Sequence, residues 1–156
     1  KNGPANTSLK GVTGKDVIAT CNKLLSGKGS MREELIKSFP SLAEKELSDD
    51  YILSHTDLMW DIPSIPLISA VPLYMLWCID NSSDEGELVF DNTISALNKY
   101  ARAKDAENIA NNFRFTLSDI QIQTVINFLF WCSNNLMLDY DPTLSRAIKN
   151  WQALCI

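Results

Sequence analysis

The sequence predicts an all-α fold, and three observations predict it. Leu117 to Leu138 reads LSDIQIQTVINFLFWCSNNLML, a run whose apolar residues exceed what a surface helix carries. Helix-start signals recur along the chain, as Ser30 with Glu33, Ser41 with Glu44, Ser118 with Gln121, and Asp141-Pro142. No stretch alternates polar with β-branched residues over strand length, so no sheet is expected. Together these predict a single-domain helical bundle of about seven to eight helices around a buried central helix, 117–138.

That central helix is the organising element of the expectation. From Val125 to Cys132 only Asn127 is polar, so two turns are apolar on every side. A helix apolar all round belongs inside a protein rather than on its surface. About 20 residues at 1.5 Å each span ~30 Å, the width of a small domain.

The other elements follow in order. Residues 1–14 lack an apolar period and predict a flexible arm, leaving 15–156 as one helical domain. Val17, Ile18, Cys21, Leu24 and Leu25 place a first helix at about 15–25, ended by Gly27 and Gly29. Met31, Leu35, Ile36 and Phe39 give the inner face of a second helix, which Pro40 stops. A third short helix starts at Ser41 and resumes after Asp49-Asp50 as Tyr51-Ile52-Leu53. Ile62 to Ile79 holds no charged residue, and 18 such residues reach the lower limit of a membrane span. Pro63, Pro66 and Pro72 oppose a span and predict a kinked pair of buried pieces, with Pro72 opening the second. Helices at about 88–100 and 104–113 come next. The last helix, after Asp141-Pro142, carries Leu144, Ala147, Ile148, Trp151 and Leu154 as a core face.

Charge is unevenly spread over the 156 residues. Net charge is −5, made of +4 over residues 1–43, −10 over 44–91 and +1 over 92–156. An acidic middle third repels nucleic acid and draws a basic protein surface. The carboxylates there also suit helix N-termini and solvated loops without any partner.

The candidate chemistry is thin. His55, Asp57 and Asp61 lie close in sequence, yet H-x-D-x-x-x-D matches no metal-site spacing and one histidine with surface acids makes no site. Cys21, Cys78, Cys132 and Cys155 contain no C-x-x-C pair. Cys78 and Cys132 follow tryptophans in apolar runs, where a thiol is a core residue rather than a nucleophile. Cys21 and Cys155 could pair if the chain is exported, and the sequence leaves that open. Asn6-Thr7-Ser8 and Asn81-Ser82-Ser83 fit a glycosylation pattern that matters only in a eukaryotic secretory setting. No calcium loop, phosphate loop or nucleophile elbow is present, so neither an enzyme nor a cofactor is expected.

Trp60-Asp61, Pro72-Leu73-Tyr74-Met75-Leu76, and Phe115 to Gln121 with Phe128-Leu129 resemble a family of small, uncharacterised bacterial helical proteins. That family has a Trp-Asp pair, a Pro-led Leu-rich helix and a terminal Leu-Ser/Thr-x-x-Gln helix. The resemblance covers about residues 51–135 and departs at Ile68 to Val71, where aromatic and basic residues would precede the proline. It implies bacterial origin and a helical fold only, since the family has no established activity to carry over.

The functional expectation is a protein-binding domain: an acidic immunity-type inhibitor that neutralises a basic toxin by direct binding. Its partner surface is placed at Asp49, Asp50, Tyr51, His55, Asp57, Trp60, Asp61, Asp84, Glu85 and Glu87. The alternatives are an assembly or scaffold domain, and a helical enzyme with a site around His55. Neither nucleic acid nor membrane is expected as partner, and the free chain is expected to be a monomer. The compartment expected is the cytoplasm, or the periplasm or exterior, since the chain starts at Lys1 rather than Met.

Overall fold

The structure is a computed structural model that describes residues 28–43, 47–56, 67–82, 88–103, 113–136 and 142–155. Of these residues 88% are helical and none lies in a strand, as the sequence predicts. Six α-helices occur among the described residues: α1 (Lys28–Ser38), α2 (Asp49–Ser54), α3 (Leu67–Asp80), α4 (Leu88–Arg102), α5 (Asp119–Asn135) and α6 (Pro142–Gln152). Three 3-10 turns accompany them, at Pro40–Ala43, Phe113–Thr116 and Ala153–Cys155. The expected arm at 1–14, the expected helix at 15–25 and residues 104–112 of the expected helix at 104–113 lie outside the described residues, while Phe113 opens a 3-10 turn. Backbone contacts divide the chain into two units, Lys1–Glu33 and Glu34–Ile156. Of the first unit only the opening turns of α1 are described.

Local signals explain the starts of three helices. Ser118 caps α5 with both halves of the capping box: Gln121 N–H donates to Ser118 Oγ, and Ser118 N–H donates to Gln121 Oε1. Ser48 caps α2 by accepting from Tyr51 N–H, and Asp49 and Asp50 fill its first turn, where carboxylates favour the helix dipole. Pro142 opens α6 at its first position. Ser30 does not cap α1, which already begins at Lys28. Ser41 sits inside a 3-10 turn that Pro40 opens, so no α-helix starts there.

The most continuously buried helix of the second unit is α3 rather than α5. Every residue from Ala70 to Ile79 is buried except Leu76, which is half-buried. Its apolar residues therefore face protein on all sides. Pro72 lies inside this helix rather than between two pieces. Its ring lacks only one backbone bond, to the carbonyl four residues back in the opening turns, and burial of its neighbours outweighs that loss. At 14 residues α3 is too short to cross a bilayer, and no described helix is long and apolar enough to do so.

In α5 the expectation of all-round burial fails. Ile120, Gln123, Asn127, Phe130 and Asn134 fall at spacings of three and four, which is one stripe of a helix. Ile120 is 71% and Phe130 42% exposed, and only Asn127 of the five is half-buried. The opposite side, with Val125, Phe128, Leu129 and Cys132, is buried.

α6 packs chiefly on α4 and also on α5. Leu144, Ala147 and Trp151 are buried as the sequence predicts, while Ile148 and Leu154 are half-buried. Trp151 Nε1 donates to the Leu97 carbonyl at 2.8 Å, and Asn150 Nδ2 donates to Asn98 Oδ1 at 2.9 Å. Phe113, fully buried in its 3-10 turn, lies 6.2 Å from Phe39, 6.2 Å from Tyr100 and 6.4 Å from Trp151 between ring centres. It thus joins the end of α1, α4 and α6 in one aromatic cluster.

Candidate functional site

Four of the ten residues placed at the partner surface are described, and all four belong to one short segment. Asp49, Asp50 and Tyr51 open α2, and His55 follows its last turn. Asp57, Trp60, Asp61, Asp84, Glu85 and Glu87 lie outside the described residues. A six-residue helix is far too short to hold itself together in water, so its stability must come from what it packs against. Ile52 supplies a buried contact. Three hydrogen bonds from neighbouring helices supply the rest. Trp77 Nε1 on α3 donates to Asp49 Oδ1 at 3.0 Å, and Tyr74 Oη on α3 donates to the His55 carbonyl at 2.6 Å. Asn92 Nδ2 on α4 donates to the Thr56 carbonyl at 3.2 Å.

The segment is therefore fixed at its start and at its end. Between those points Asp50, Leu53, Ser54 and His55 are exposed. The His55 ring stacks on Tyr51 with centres 4.1 Å apart and planes 16° from parallel. His55 Nδ1 lies 2.9 Å from the Tyr51 carbonyl, which can only accept, so Nδ1 is the donor in that contact. Nε2 is the remaining polar atom of the ring. Asp49 has a structural role besides its charge, because one of its oxygens satisfies the Trp77 indole.

A second polar assembly escaped the sequence reading. Asn127, the lone polar residue in the apolar run, donates from Nδ2 to Glu34 Oε2 at 2.6 Å. Gln123 Nε2 donates to Asn127 Oδ1 at 3.0 Å. Thr124 Oγ1 lies 2.5 Å from Ser38 Oγ. Gln121 Nε2 closes the seam on the Ser38 carbonyl at 3.0 Å.

Desolvation pushes the Glu34 carboxyl above its ordinary value, and the bond from Asn127, with a smaller effect of the nearby Thr124 hydroxyl, pulls it back only in part. A carboxyl raised on folding stabilises fully below its unfolded value, and that contribution is lost as pH rises through the folded value. Glu34→Gln keeps the shape and removes the charge. We expect the variant to match the parent near pH 4 and to unfold at higher urea than the parent near pH 7. A variant weaker than the parent near pH 7 would show that the hydrogen bonds to the ionised carboxylate outweigh its desolvation.

The cysteines on α3 and α5 have the wrong setting for a nucleophile. Cys78 and Cys132 are buried free thiols. Burial pushes the Cys78 thiol up to about 12, against a smaller opposing effect from the Thr93 hydroxyl. Burial, and then the nearness of Cys78, raises Cys132 well above the usual thiol value. Both should resist iodoacetamide in the native protein near pH 8 and react fully in urea. Labelling of either at the native-state rate of an exposed thiol would contradict their burial. Among the described residues no three His, Cys, Asp or Glu side chains cluster to hold a metal ion.

Comparison with protein-family models, with curated proteins and with solved structures found no match to this chain.

Proposed function

We propose that the chain is a protein-binding domain, an acidic immunity-type inhibitor that holds a basic toxin and neutralises it by direct contact. One observation carries this reading: α2 presents Asp50, Leu53 and His55 at the surface while α3 and α4 fix its two ends. A recognition segment already held in place loses less freedom on binding than a mobile one. The stacked Tyr51–His55 pair offers a flat anchor of the kind that concentrates binding energy. The surrounding charge of −10 over residues 44–91 steers a Lys/Arg-rich surface toward it. In this reading the helices form one bundle, a cytoplasmic monomer of bacterial origin when free. Asp57, Trp60, Asp61, Asp84, Glu85 and Glu87, which lie outside the described residues, are proposed as further partner contacts on their charge and aromatic character alone.

The test starts with the chain as bait in an extract of its source cells, with bound protein identified by mass spectrometry. Asp50→Asn, Asp57→Asn, Asp61→Asn and His55→Ala are then measured against that partner at low and high salt. A contact that is desolvated in the complex should cost ~2–5 kcal/mol, and a rim charge should act mainly on the association rate. If every variant binds like the parent and salt has no effect, the acidic surface serves only solubility.

Exposed apolar residues favour a second reading, an assembly domain. Ile120 and Phe130 lie on one stripe of α5, and Leu88 on α4 is 61% exposed. Light scattering across a concentration series separates the two: the inhibitor stays monomeric without its partner, and an assembly domain does not.

A further inference from the structure

α5 begins with Asp119, Ile122 and Gln123 at spacings of three and one, which places them on one side of its first turns. The 3-10 turn that follows α6 packs on α5 and brings Leu154 and Cys155 alongside. These five residues line a surface cleft of ≈ 270 Å³. Its chemistry is one-sided. Ile122 and Leu154, both half-buried, form apolar walls. Gln123 spends its amide N–H on Asn127 Oδ1, so its carbonyl oxygen is left as an acceptor. Among the described residues the Asp119 carboxylate has no ion pair and no hydrogen bond. Among the described residues no cationic side chain lines the cleft.

We infer that this cleft receives a basic side chain of a partner polypeptide, a lysine or arginine whose stem lies on Ile122 and Leu154. Its cationic head meets the Asp119 carboxylate and the Gln123 carbonyl. A long basic side chain combines an apolar stem with a charged tip, which is the pattern of the lining. An anion would meet a carboxylate here, and a wholly apolar group would bury two acceptors without donors. The site is separate from the α2 surface, so its failure would leave the proposed inhibitor reading standing.

Cys155, exposed and free at the edge of the cleft, makes the inference testable. The probes are three symmetrical disulfides: cystamine, hydroxyethyl disulfide and dithiodipropionate. Each is equilibrated with the Cys21→Ser chain and buffered by its own thiol. The Cys155 thiolate attacks one sulfur, a mixed disulfide forms, and one equivalent of the small thiol leaves. Intact mass and peptide mapping then give the fraction of Cys155 carrying an ammonium, hydroxyl or carboxylate tip. The same ratios from urea-unfolded chain remove differences between the reagents.

The expected result is about a three- to fivefold preference for the ammonium tip over the hydroxyl tip, with the carboxylate tip least captured. Asp119→Asn should bring ammonium and hydroxyl tips level, and Asp119→Ser should do the same. Equal capture of ammonium and hydroxyl tips by the parent overturns the inference. A preference that survives both substitutions also overturns it, since it then reflects net charge alone. Should both variants fail to fold, the parent is measured at about 0.5 M salt, where distant charges are screened and a close pair less so. A preference retained there supports the cleft, and one abolished there overturns it.

Discussion

Replacing Phe113 with alanine is expected to lower the unfolding free energy by about 3–5 kcal/mol. The ring is fully buried and is the common neighbour of Phe39, Tyr100 and Trp151. Its removal leaves three large rings facing a gap that none can fill without moving its own backbone. Because these rings come from the residue after α1, from α4 and from α6, the loss should lower the urea midpoint of the whole second unit with little change in slope. A cost below ~1 kcal/mol would mean that the neighbouring helices close on the gap, and the cluster would then not be a shared core.

Trp151→Ala should cost a similar ~3–5 kcal/mol, through a different balance of terms. The side chain is fully buried, and its indole N–H reaches the Leu97 carbonyl on α4. Trp151→Phe separates the terms. Phenylalanine keeps most of the apolar area and drops the hydrogen bond, which is worth ~1 kcal/mol. A phenylalanine variant as damaged as the alanine one would show that this bond, not packing, seats α6.

What was legible in the sequence was what is local. The Ser118–Gln121 capping box spans four residues, and both of its bonds are present. The core face of α6 was readable because Leu144, Ala147 and Trp151 need only helical spacing to line up. The all-helical class followed from the same two signals. Pro72 misled because a proline's local cost is certain while the burial of its neighbours, which outweighs it, depends on the rest of the chain. The run Val125 to Cys132 misled for a related reason. Phe130 is as apolar as Phe128, and only the placement of neighbouring helices leaves one exposed and the other buried.

The polar seam was least legible. Asn127 stood out as an interruption, but Glu34 lies 93 residues away, and no pattern on α5 announces it. The candidate surface on α2 was legible in composition but not in support. Asp49, Asp50, Tyr51 and His55 drew attention as acids and aromatics. Tyr74 and Trp77, which hold the two ends of that segment, lie 19 and 28 residues from the groups they bond, beyond the reach of any local pattern. In each case the missing information was which distant side chain completes a hydrogen bond.

The proposal that this acidic surface captures a basic protein is tested most directly by the association rate with the captured partner across ionic strength. Electrostatic steering predicts at least a tenfold fall in that rate between about 0.02 M and about 0.5 M salt, with the dissociation rate changing far less. An association rate flat across that range would contradict the account.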